Sequence, residues 1–174
     1  MHNYAGPGNH FWPLLFESGL VSRPLTFESD ALLMDEYGIG FTNLVDRPSA
    51  SSSDLTLAEM RAGAVPLLRK LVRCTPKVVC FNGRGIYDAF VGRPRKDFTM
   101  GLQPPGVSGW DRARGVYRDL SKEDTPVAPP DSDPALSPAV PHLSSFPLPS
   151  EVPPEPLFFV MPSTRYLCLM ETIN

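Results

Sequence analysis

Three short segments gather the side chains able to do chemistry: TNLVDRPS at residues 42–49, NGRG at 82–85 and MPSTR at 161–165. Each follows an apolar run that reads as a β-strand, and in an open parallel sheet ligands bind outside the carboxyl ends of the strands. These segments offer amides, hydroxyls and guanidinium groups, which hydrogen-bond and hold anions. Asp46, in LVDRP, reads as a loop-stabilising partner of Arg47 or of backbone and not as a general base. His2 and His142 have no partner that would mark catalysis or a metal, and His10 reads as structural, positioning its loop. Cys74, Cys80 and Cys168 are too few for an iron–sulfur or four-cysteine zinc site and show no Cys-x-x-Cys spacing. They read as buried, reduced thiols.

The elements that must position these loops follow from pattern. Asn9 can cap a helix through HFWPLLFESG that Gly19 ends, and a second short helix falls around residues 29–36. YGIGFTNLV reads as a strand over residues 39–42 running into the first polar loop. Thr56 and Glu59 form a capping-box pair opening an amphipathic helix to about Cys74, which Pro66 should kink. KVVCFNG reads as a buried, parallel-type strand, RGIYDAFVG as a helix, FTMGLQ as a third strand and PLFFVMPS as a fourth. The alternation predicts an α/β fold with a parallel sheet covered on both faces. A parallel unit that opens directly on a loop and helix lacks its leading strand.

Length and composition fit one globular domain: 174 residues, 42% hydrophobic. No stretch approaches the roughly 18 uncharged apolar residues of a membrane span, and the start resembles no signal peptide, so the expected address is intracellular. The net charge of -3 hides an asymmetry, because residues 1–118 carry 14 Lys+Arg against 11 Asp+Glu and residues 119–174 carry 2 against 8. A mildly basic body permits nucleic-acid binding through local patches without demanding it. Eleven of the 21 prolines fall between Pro126 and Pro156, where each removes a backbone donor. That stretch reads as a disordered, polyproline-like insertion, with docking to a proline-binding module as its sharper reading.

Five segments, YAGPGNHFW, YGIGFTNLVDRP, FNGRGIYDAF, GLQP and VMPS, occur in order at these loop positions. Together they resemble the mismatch-specific uracil/thymine-DNA glycosylase family of the uracil-DNA glycosylase superfamily, over residues 2 to about 104 and again over 157–165. The resemblance implies a three-layer α/β/α sandwich around a parallel sheet, here with the first strand missing. It implies residues 1–118 as the glycosylase-like domain, 119–156 as the proline-rich insertion, and 157–174 as the last strand with a divergent tail. It further implies a monomeric, nuclear, base-excision-repair hydrolase that uses no cofactor or metal. Such an enzyme flips uracil or thymine out of a G·U or G·T mismatch in double-stranded DNA and cleaves its N-glycosidic bond. Residue by residue, Tyr4 matches the aromatic that stacks on the flipped base, Asn43 a side chain at the base edge, and Ser49 a hydroxyl near the active-site water. Asn82 and Arg84 match contacts to the DNA backbone, Ser163 a phosphate-pinching serine, and Arg165 the arginine wedge.

The family's hydrolytic water is held by an asparagine in a Gly-Ile-Asn-Pro-Gly type loop upstream of the matching aromatic, and none of these 174 residues matches it. The chain therefore reads as truncated at its N-terminus and altered at its C-terminus, more in keeping with an incomplete version of a working enzyme than with a product that lost catalysis. On that reading the isolated polypeptide releases little or no base. Two other classes stay open at this point: a non-catalytic binder of mismatched DNA, and an interaction protein that uses its proline-rich segment.

Overall fold

The computed structural model describes residues 2–47, 54–123 and 147–163. They fall into two compact units, one holding residues 2–41 and 162–163 and the other residues 42–47, 54–123 and 147–161.

In the first unit, α1 (Phe11–Glu17) buries Trp12 and Leu15 against Val21, Leu25 and Leu33. Asn9 acts at its start as the sequence suggests, its Oδ1 accepting from the Phe11 N–H at 3.0 Å, although His10 is the first flanking residue. Gly19, at φ 76°, follows the helix end. The second helix arrives as a 3-10 turn (Phe27–Ser29) and then α2 (Leu32–Tyr37), closed by left-handed Gly38. Asp30 anchors the chain start by accepting from the Asn3 N–H at 3.1 Å and pairing with His2 Nδ1 at 3.2 Å.

The expected strand over residues 39–42 does not form. Instead of joining a ladder, Ile39 N–H bonds back to the Leu33 carbonyl at 3.0 Å. Ile39 and Phe41 pack on the core of the first unit. An apolar run makes a strand only where a neighbouring edge accepts its backbone groups, and here α2 takes the Ile39 N–H instead.

The second unit opens with α3 (Leu57–Ala62) and α4 (Ala64–Cys74). The Thr56–Glu59 capping box is complete. The expected kinked helix is instead two helices, because Pro66 lacks an N–H and its ring crowds the carbonyl four residues back, at Ala62. The break falls on Gly63, where only glycine fits: a Cβ there would stand 1.9 Å from the Leu44 carbonyl oxygen. Strand β1 (Val78–Asn82) leads into α5 (Arg84–Val91), and β2 (Gly101–Leu102) precedes α6 (Ala113–Glu123) and β3 (Leu157–Met161).

The sheet order is β1-β3-β2. β1 runs parallel to β3 with Val78 opposite Leu157, but β2 is antiparallel to β3, so the expected all-parallel sheet is corrected to a mixed one. Gly101, at φ 103°, turns the incoming segment against β3, and only two residues pair. Phe81, Phe158 and Val160 face α4, α5 and α6 in one core, whereas Leu102, Leu157 and Phe159 on the other face are exposed.

Helix α6 and its neighbours also move the expected boundaries. Residues 119–123 are the last turn of α6, not the start of an insertion. Residues 147–156 are held too: Trp110 Nε1 donates to the Pro153 carbonyl at 3.3 Å and Tyr117 Oη to that of Pro149 at 3.0 Å. The expected insertion thus keeps only residues 124–146, which lie outside the described residues, and most of the 126–156 stretch considered for a proline-binding module lies there with it. Cys74 and Cys80 are free thiols on exposed residues, correcting the buried reading, although shelter of their sulfurs raises both pKa values; Cys168 lies outside the described residues.

The capping box carries a pH dependence. Glu59 is pulled down to about 2, first by the Thr56 backbone N–H, then by the Thr56 hydroxyl and Arg47. A carboxylate whose folded pKa lies below its ordinary 4.5 stabilises the fold above that value, and its contribution is lost as pH falls from 4.5 toward 2. Urea unfolding of wild type and Glu59→Gln should therefore differ most near neutral pH and converge on acidification; a gap constant down to the acid limit would contradict this.

Candidate functional site

The turn from β1 to α5 is the most constrained point of the chemically rich loops. Asn82 ends β1, half-buried, opposite Met161 at the end of β3. Gly83 follows at φ 112° and ψ 140°, a backbone region essentially confined to glycine. Its N–H donates to the Met161 carbonyl at 3.0 Å and to that of Phe81 at 3.1 Å, which fastens the turn to the carboxyl end of β3. The chain then enters α5 with no side chain capping the helix start. The first-turn N–H groups have no partner within a helix, and their partial positive charge favours an anion. Gly85 has no atom within 4 Å of where a Cβ would stand, so the surface at the helix start is open.

Arg84 stands at that start with its side chain already engaged. Nε pairs with Asp88 Oδ2 one turn on at 3.1 Å, Nη2 donates to the Arg95 carbonyl at 3.0 Å, and the guanidinium lies 4.6 Å over the Phe98 ring. These contacts pin the 92–98 loop to α5. The side chain stays 44% exposed, so the arginine is oriented yet within reach of solvent. Phe98 leaves no mark in the sequence as its platform, because an aromatic fourteen positions away has no helical or strand relation to it.

Gln103, in GLQP, is likewise a brace. It is buried, its Nε2 donates to the carbonyls of Thr99 and Gly101 at 2.9 and 3.0 Å, and its N–H meets the Phe158 carbonyl at 2.8 Å. It holds β2 and its approach against β3. A glutamine beside a two-residue strand carries no pattern from which this could be read.

Asn43 is exposed on a loop secured from beneath. The Leu44 carbonyl lies against Gly63, Asp46 pairs with Lys70 Nζ at 3.0 Å, and Arg47 pairs with Glu59 at 3.0 Å while also donating to the Asp54 carbonyl. Asp46 is thus a loop stabiliser as expected, but through Lys70 and not Arg47. Ser49, farther along the same loop, lies outside the described residues.

Tyr4 belongs to the first unit, at φ 57°, a left-handed backbone uncommon for a tyrosine. Its ring stacks on Phe11 at 4.1 Å and 17°, and Phe41 meets it edge-on at 5.7 Å. Ser163, two residues beyond β3, is half-buried, and Arg165 lies outside the described residues. Asn82 and Arg84 therefore share one turn, and Asn43 sits on a separately braced loop of the same unit. Among the described residues no three His, Cys, Asp or Glu side chains gather as metal ligands, and no helix is long and apolar enough to cross a membrane.

The family model of the uracil DNA glycosylase superfamily matches residues 1–170. The chain belongs to that superfamily. It is also 36% identical over 140 residues to the G/U mismatch-specific uracil DNA glycosylase of Schizosaccharomyces pombe, an alignment covering 71% of this chain. The chain spans 42% of that protein's length. Membership agrees with the α/β arrangement of helices and sheet described above.

Proposed function

We propose that the protein acts in base-excision repair, flipping uracil or thymine out of a G·U or G·T mismatch and hydrolysing the bond between base and sugar. The reading rests on superfamily membership, on the G/U mismatch specificity of the fission-yeast relative, and above all on the Gly83 turn. That turn presents an uncapped helix start, an open Gly85 surface and an oriented arginine together, a combination suited to a DNA phosphate. A nuclear, monomeric protein acting on double-stranded DNA is part of the same proposal.

Each side chain then takes a definite task. The N–H groups of the first turn of α5 bind a phosphate next to the flipped nucleotide, with Arg84 supplying positive charge and Asn82 a further polar contact. Asn43 reads the pyrimidine edge, because an amide both donates and accepts. Within the first unit, the stacked Tyr4–Phe11 pair is a platform of the kind that carries bases, a contact worth about 1–3 kcal/mol in other base–aromatic stacks. Ser163 contributes a second phosphate contact.

Gly85→Ala tests the phosphate site with effects of opposite sign. A methyl group has open space in the free protein and alanine is the better helix former, so the fold should gain up to roughly 1 kcal/mol. The same methyl stands where a phosphate would approach, so affinity for matched and mismatched duplexes should fall severalfold together. Thermal melts and fluorescence-anisotropy titrations measure the two effects; unchanged affinity in the variant would remove the phosphate from this turn.

A further inference from the structure

We propose that the outer face of α6 is a second DNA-backbone site, holding the duplex through phosphates away from the reacting base. The inference rests on the DNA-binding reading above and extends it to a helix that plays no part in base recognition. The inner face of α6 is occupied, with Ala113, Val116 and Leu120 buried in the core. The outer face carries Arg114, Arg118 and Lys122, all exposed, at successive four-residue steps. None of the three forms an ion pair or hydrogen bond among the described residues.

Arg61, Lys77, Arg93 and Lys96 of this unit also form no ion pair among the described residues, but only on α6 do three such cations stand in one row on one helix. Arg47, Arg69 and Arg84 each meet a carboxylate. On α6, by contrast, like charges four apart repel, while Asp111 and Asp119, three residues before Arg114 and Lys122, form no pair with them. A row of cations left unmatched on a helix that repulsion weakens is suited to an anion from outside.

Spacing selects the kind of anion. At 1.5 Å per residue the row is about 12 Å long. Phosphates of one DNA strand advance about 3.4 Å along the helix axis, so the row spans roughly three to four of them. The face presents no large exposed apolar side chain: Gly115, Asp119 and Ser121 lie between the cations, and Tyr117 is half-buried with its hydroxyl on the Pro149 carbonyl. A membrane surface or a protein interface would call for an apolar anchor; a polyanion does not. The face is fixed to the unit that carries the β1–α5 turn, since Arg112 at the start of α6 donates to the Phe90 carbonyl of α5 at 2.8 Å.

The test uses chain 1–174 and its triple variant R114Q/R118Q/K122Q, titrated against a matched duplex and the same duplex with one G·U pair over a series of salt concentrations. Each lost phosphate contact lowers the slope of log affinity against log salt by about 0.9. The variant should therefore lose about 2–3 from the slope on both duplexes and bind each at least tenfold more weakly at low salt, with its preference for the mismatch intact. An unchanged slope beside a DNA-binding wild type overturns the α6 site and leaves the functional reading standing. A wild type that binds neither duplex overturns both. Asp119→Asn guards against misfolding of the triple variant: removing that carboxylate should tighten both duplexes severalfold, and no tightening counts against the site.

Discussion

Phe90→Ala should destabilise the second unit by about 3–5 kcal/mol, the range for emptying a fully buried aromatic site. Phe90 is 0% exposed, and its ring lies 5.3 Å from Phe81 of β1 and 6.0 Å from Phe158 of β3. Its carbonyl receives Arg112, whose guanidinium lies 5.5 Å over the same ring. Helix α5, both long strands and the Arg112 turn that leads into α6 thus meet at one side chain. Set against the roughly 5–15 kcal/mol typical of whole domains, this loss should move the denaturant midpoint far enough to populate unfolded chain near body temperature. Equilibrium unfolding in urea measures it. A change below about 1 kcal/mol would show that the core does not close around this ring.

Gly83→Ala should cost stability and DNA affinity together, in contrast to Gly85→Ala two residues away. At φ 112° and ψ 140° a Cβ is strained, by roughly 1–3 kcal/mol, whatever space surrounds it. The chain can relieve that strain only by rotating the peptide whose N–H meets the Met161 carbonyl at 3.0 Å. Rotation would redirect the start of α5 and displace Arg84 from Phe98. Affinity for a G·U duplex should then fall more than tenfold under conditions where the variant remains folded, as circular dichroism would verify. A variant as tight as wild type would mean that the turn does not touch DNA.

What the sequence revealed and what it hid divide along physical lines. Local signals were legible: the Asn9 contact and Gly19 around α1, the Thr56–Glu59 box, and the β-branched run of β1 leading through Gly83 into α5. Each depends on a few adjacent residues. Non-local outcomes were not legible. Residues 39–42 have strand-like composition, but α2 captures the Ile39 N–H. The antiparallel sense of β2 depends on Gly101, and the place of the split between α3 and α4 on the Leu44 carbonyl, which leaves no room for a Cβ at Gly63. Helix α6 escaped notice because its apolar face amounts to little more than Ala113, Val116 and Leu120 among charged residues. The proline-rich label extended too far because proline forbids ladders and helices but not packing, as Pro149 and Pro153 show by accepting hydrogen bonds from Tyr117 and Trp110.

Within the candidate site, motif resemblance pointed to Asn82 and Arg84, and the structure adds what orients them. Phe98, Asp88 and the Arg95 carbonyl hold the arginine, while Gln103 ties β2 to β3. Supporting residues of this kind contact other protein groups and not a ligand, so no ligand chemistry marks them in a sequence. The Asn43 loop follows the same rule: its braces, Gly63 and Lys70, lie well along the chain from it.

Recognition of a mispaired pyrimidine in duplex DNA, as proposed above, can be measured directly. The most direct measurement is a competition titration of polypeptide 1–174 against three duplexes of one sequence carrying G·U, G·T or G·C at a single position. A preference of at least tenfold for the mismatched duplexes over the G·C duplex is expected, about 1.4 kcal/mol of discrimination. Equal affinity for all three would contradict it.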